Sequence, residues 1–306
     1  MALASLALGA TLLGAAIFPR LVARTDASPS TMIPRARMAL VTNDPGPLAP
    51  SWLQLVNSYR EMSQESDLTE NSTWDVGALA HSQYMALNNV IRHSEDPTLP
   101  YYTAAGNAAA GSSNVYLGYG AGTEQTAIEG WLTGPFHAVG VLDPDLLSTG
   151  FGIYRAGSRW AATLDVLRGL TNSSSTSGYP VEFPGPGATT TLSRYAGNES
   201  PDPLTSCPGY SAPTGVPILL MLGPGSPGGT VQAFTTGGRP VEFCGYDGHN
   251  YTNPDSSAQA LGCQVLSARG AIVIIPRQPL TPGATYTVSV STVGGIVTWS
   301  FAIAAG

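Results

Sequence analysis

The sequence predicts an α/β domain followed by a second, all-β domain. Two observations carry that prediction. Between Ser51 and Asp165, apolar residues recur first at helical and then at strand spacing, in the order helix, helix, loop, helix, strand, strand. From Val216 onward the apolar period is two, with glycine-rich turns between runs. A chain of 306 residues accommodates both domains.

In the first domain, Trp52, Leu55, Val56 and Tyr59 mark a helix that Ser51 can cap. Thr73-Trp74-Asp75 opens a second helix, striped by Leu79, Tyr84, Met85 and Leu87 and ending near Asn88-Asn89. A third spans about Glu124 to Leu132, and short strands follow near 150–155 and 160–165. In the second domain, Tyr286, Val288 and Val290 alternate with Thr and Ser, as do Val297, Trp299, Phe301 and Ile303. Gly294-Gly295 joins these two runs as a hairpin, and Pro282-Gly283 turns the chain before them. With 217–222, 229–234, 239–244 and 271–275, about seven strands result, which suits an immunoglobulin-like sandwich.

The organisation read from the chain is a signal peptide or membrane anchor at 1–27, a linker at 28–47, the α/β domain at 48–170, a Ser/Pro/Gly-rich linker at 171–215 and the sandwich at 216–306. The first 19 residues are uncharged and rich in Ala and Leu, which favours export over a retained anchor. Tyr179, Phe183 and Tyr195 are candidate anchor points within the 171–215 segment. Charged residues make up 11% of the chain, against roughly 25% in ordinary soluble domains. The net charge is −7 and no basic run exists, which disfavours nucleic acid and simple attraction to anionic lipid. All 13 basic residues are Arg, a trace of a GC-rich genome. Of the three cysteines, Cys244 and Cys263 are the favoured disulfide pair in an exported protein, and no CxxC spacing points to a thiolate zinc site.

Chemistry centres on histidine. His81 reads as a packed helix residue and His249 as a solvated turn residue. His93 and His137 each follow or end a helical run in a loop, where an imidazole can be aimed into a cleft. Two converging imidazoles suit a divalent metal such as zinc; the plainer reading is that each ties its loop to a carbonyl. No GxSxG elbow occurs, and Gly118-Tyr119-Gly120-Ala121-Gly122 reads as a flexible loop over the cleft rather than a phosphate loop.

At these residues the chain resembles the CAP superfamily (cysteine-rich secretory, antigen 5 and pathogenesis-related proteins), in its bacterial SCP-like branch. The carrying pieces are Leu55-Val56-Asn57-Ser58-Tyr59-Arg60, Ala80-His81-Ser82-Gln83-Tyr84-Met85, Ile91-Arg92-His93-Ser94, Ala105-Gly106-Asn107-Ala108-Ala109-Ala110-Gly111 and Trp131-Leu132-Thr133-Gly134-Pro135-Phe136-His137. The resemblance implies a three-layer α-β-α sandwich with a central cleft lined by two His and two Glu, which binds zinc in some members. His93 and His137 match the histidines. Gly106 and Gly134 stand where the glutamates are expected, and Glu95 is the candidate substitute. The second domain resembles bacterial Ig-like modules through Pro279-Leu280-Thr281-Pro282-Gly283 and Val297-Thr298-Trp299-Ser300-Phe301.

The expected protein is secreted or at the cell surface, with a ligand-binding cleft of His93, His137, Asn107 and Glu95. It is non-enzymatic and holds a small apolar ligand or a cell-envelope polymer, touching a membrane only through an N-terminal anchor. Two alternatives stand beside this: a Zn2+-dependent hydrolase of peptide or envelope substrates using His93 and His137, and a structural or adhesion protein with a vestigial cleft.

Overall fold

Strand Arg159–Asp165 organises the first half of the molecule by alternation. Trp160, Ala162 and Leu164 face one buried cluster, and Ala161 faces another. It is the middle strand of a three-stranded antiparallel sheet, flanked by Ser113–Tyr119 and Phe151–Ala156. This computed structural model describes residues 51–171 and 178–306; the leader and linker expected at 1–27 and 28–47 lie outside the described residues.

Helices cover both faces of that sheet. On one face lies α2 (Ser72–Asn88), which is capped by Asn71 and ends on Asn89 in the left-handed conformation. Its Ser82 hydroxyl donates to the Gly152 carbonyl at 2.8 Å. The short helix α3 (Ala104–Ala110) packs beside it. On the other face lie α1 (Ser51–Met62), α4 (Glu124–Leu132) and α5 (Pro135–Val141). Trp52 of α1 stacks on Phe151 at 5.3 Å, and Trp131 of α4 meets the same ring edge-on at 6.5 Å. The expected α-β-α layering is present. The run at 118–122 is not a loop over a cleft: Gly118 lies within a strand, and both Gly118 and Gly122 leave room for the Trp160 indole.

Two sheets make up most of the second half. One has the order 243–247, 271–276, 218–221, 181–183, and the other 239–240, 229–236, 285–292, 295–303, 189–190. Phe234, Tyr286 and Phe301 stack along the second sheet, and Phe243 of the first meets Phe234 edge-on at 6.4 Å. The hairpin loop is Val293-Gly294, one residue earlier than expected, with Thr292 paired to Gly295.

Three expectations need correction here. The segment read as a linker at 171–215 supplies a strand to each sheet, Val181–Phe183 and Thr189–Thr190. Val181 and Phe183 are buried, and the Trp299 indole N–H donates to the Pro184 carbonyl at 3.0 Å, so apolar burial draws this segment into the sandwich. The second half is also not purely β, because α6 (Ser256–Ser267) interrupts it, capped by Asp255. Finally, the disulfide joins Cys207 to Cys244, with Cα atoms 5.6 Å apart, and Cys263 is free. Helix α6 carries Cys263 away from that pair, leaving its Sγ 3.7 Å from the Tyr251 carbonyl oxygen.

The two halves share one buried cluster that runs from Trp52 to Ile303. Phe136 of α5 meets Tyr251 edge-on at 5.0 Å. Gly262 of α6 faces both rings, and a Cβ there would come within 3.1 Å of Phe136. Arg269, just past α6, forms an ion pair with Asp143 at 2.8 Å. Behind Asp143 sits Arg60 of α1, fully buried. Its guanidinium donates to the carbonyls of Ser66 (2.8 Å), Val141 (2.7 Å), Asp143 (3.0 Å) and Leu146 (3.3 Å). Burial pushes the Arg60 pKa down, while Glu65, Asp143 and Asp67 oppose the shift. Arg60→Met strands four carbonyls and is expected to cost about 3 to 5 kcal/mol in chemical denaturation. A loss below about 1 kcal/mol would contradict this clamp.

Candidate functional site

Two cavities of about 430 and 350 Å3 open between the halves. They share four lining residues: His93, His137, Ser200 and Leu261. Val115, Leu117 and Trp131 line the first, and Phe136, Val166 and Val265 the second. Leu261 and Val265 belong to α6, so part of the lining comes from outside the α/β domain.

His137 sits in the first turn of α5. The helix begins at Gly134, which has no side chain with which to cap it. Glu199 performs that task from the following segment: its Oε1 accepts the His137 backbone N–H at 2.9 Å. The same oxygen lies 2.7 Å from His137 Nδ1. A Cβ built on Gly134 would fall 2.6 Å from Oε1, so the carboxylate occupies the room a side chain at 134 would need. The Glu199 side chain is 2% exposed, and Oε2 has no hydrogen-bond partner among the described residues. Burial pushes the Glu199 pKa up, and its bonds with His137 pull it back.

His93 Nδ1 lies 3.3 Å from the Ala110 carbonyl oxygen. A carbonyl only accepts, so Nδ1 carries the hydrogen. Burial and the neighbouring His137 both push the His93 pKa down, which favours the neutral ring.

The other expected cleft residues lie elsewhere. Glu95 is buried, with Oε1 3.0 Å from His81 Nδ1 and Oε2 accepting the Thr103 N–H at 2.9 Å. Its own N–H donates to Asn107 Oδ1 at 2.8 Å. Glu95 and Asn107 therefore tie the 93–96 loop to α3, and neither lines the two cavities. The Glu95 carboxylate lies against Gly106, where a side chain would collide with it. His81 is buried, with Nε2 2.9 Å from the Arg92 carbonyl oxygen, as expected of a packed helix residue. Glu199 was not singled out from the sequence; nothing in Asn198-Glu199-Ser200-Pro201 distinguishes it from ordinary loop.

A layered domain with paired histidines at a cleft points to one fold family. Residues 53–166 match the model of the Cysteine-rich secretory protein family (CAP), and this part of the chain is a CAP domain. Among solved structures, it is similar to an extracellular protein containing a SCP domain from Bacillus anthracis str. Ames. That similarity has 20% identity and a TM-score of 0.30, covering 39% of this chain and 44% of that one. No curated protein matches the chain. Among the described residues, no helix is long and apolar enough to cross a membrane.

Among the described residues, no group of three or more His, Cys, Asp or Glu side chains is arranged to hold a metal ion. Glu199 is engaged with His137, and Glu95 with His81 and Thr103. Two imidazoles without a third ligand do not fit the zinc that the resemblance implies. Calorimetric titration with zinc is expected to give no saturable heat. A one-to-one isotherm that His93→Ala and His137→Ala both abolish would overturn this.

Proposed function

We propose that this is an exported CAP-domain binding protein that holds a small apolar or amphipathic molecule around His93 and His137 and does no chemistry on it. The observation that carries this reading is the set of large apolar side chains left exposed at the cleft. Ile91 (58% exposed), Leu167 (45%) and Leu261 (47%) all line its cavities. Exposed apolar groups gathered around a concavity mark ligand or partner sites. The volumes suit a small molecule better than a folded partner. Export is supported by the Cys207–Cys244 disulfide and the apolar N-terminal stretch. The C-terminal sheets, which resemble bacterial Ig-like modules, serve here as the base that presents α6 and Glu199 to the cleft.

Leu261→Arg places a charge on the apolar lining shared by both cavities. Binding of the neutral dye Nile red, followed by fluorescence, is expected to weaken about tenfold or more. Unchanged binding would contradict a ligand site in this cleft. Failure of the parent protein to bind any apolar probe would instead favour the structural or adhesion alternative.

A further inference from the structure

The contact between Glu199 and His137 does more than close a gap. Oε1 accepts the His137 backbone N–H, so it also acts as the acceptor toward the ring. That assigns the imidazole hydrogen to Nδ1 and leaves the Nε2 lone pair free in the neutral ring. Nε2 makes no hydrogen bond with any described residue, and the ring lines both cavities. His93 is tied to its surroundings by the Ala110 carbonyl and the Ser113 backbone. The cleft thus presents His137 Nε2 as an acceptor in an apolar lining, beside a carboxylate that is almost fully buried.

We propose that Glu199, delivered from outside the CAP domain, is a positioning residue that fixes His137 as a hydrogen-bond acceptor, so that the cleft takes an uncharged, hydroxyl-bearing apolar molecule. A hydroxyl donates to Nε2 while its chain lies against Leu117, Trp131 and Leu261. A carboxylate of the same chain length has no hydrogen to donate, so it would face the Nε2 lone pair as a second acceptor. Arg92 also lines the first cavity, but it is exposed and its charge is screened by water. The assignment rests on the binding reading given above.

The test compares dodecanol with dodecanoate by calorimetry near neutral pH, on the whole chain. The parent protein is expected to favour the alcohol by about tenfold, equivalent to about 1.4 kcal/mol. Glu199→Ala is expected to lose that preference. The pair Gly134→Glu with Glu199→Ala is expected to restore it, because the new carboxylate grows into the room the old one leaves. Equal affinities in the parent, or a preference for dodecanoate, would overturn the assignment. A nitrogen-15 spectrum of the parent's histidines decides the same point should the variants fail to fold. His137 protonated on Nδ1 is expected, and protonation on Nε2 alone would refute the role of Glu199. If neither probe binds while the Nδ1 form is seen, the binding reading and the ligand class fall, but the positioning role of Glu199 stands.

Discussion

The carboxylate of Glu199 against His137 is the contact on which the rest of the cleft depends. It caps α5, orients the imidazole and fills the space beside Gly134. All three tasks are local to the CAP domain, yet the residue that performs them lies outside residues 53–166. A buried carboxylate is expensive to place unless its surroundings hold it by hydrogen bonds. Here the His137 backbone N–H and ring hold Oε1, while from the second half the buried Tyr195 accepts the Glu199 backbone N–H through its hydroxyl at 3.1 Å and so fixes the segment that carries the carboxylate.

Packing connects this contact to the distant ends of the chain. Arg60 fixes the turn after α5, Asp143 in that turn pairs with Arg269, and Arg269 directly follows the C-cap of α6. Helix α6 then supplies Leu261 to the cleft. With only 11% of its residues charged, the protein has few charged contacts among the described residues, and two polar pairs, the Glu199–His137 hydrogen bonds and the Asp143–Arg269 ion pair, cross between its halves. Such pairs act less through raw stability than by fixing one arrangement of neighbours. The apolar cluster shared by both halves provides the larger driving force.

What the sequence displayed and what it concealed follow from this. Helices α1 and α4 were legible from their periodic stripes, and α2 from its Thr73-Trp74-Asp75 start and Asn88-Asn89 end, although of the stripe read for α2 only Tyr84 and Met85 are buried and Leu79 is exposed. The last two strands were legible from strict alternation around a glycine turn. Helices α3 and α5 were not, since seven residues of mostly Ala, Gly and Val give no clear period. Helix α6 carried a readable signal in Asp255-Ser256-Ser257, but it stood among strands and has no charged face. His93 and His137 could be picked out because histidine is rare in this chain. Glu199 could not, because its role comes from a contact 62 residues away in sequence. Glu95 drew attention as the candidate substitute for the glutamates missing at Gly106 and Gly134, although its partners are His81 and Thr103.

If the cleft is completed by the second half, the CAP domain and the sheets beyond it must unfold together. Differential scanning calorimetry of the whole chain tests this most directly. A single transition is expected, with equal calorimetric and van't Hoff enthalpies. Two separable transitions, one of which leaves the CAP domain folded with its cleft still binding an apolar probe, would contradict the account.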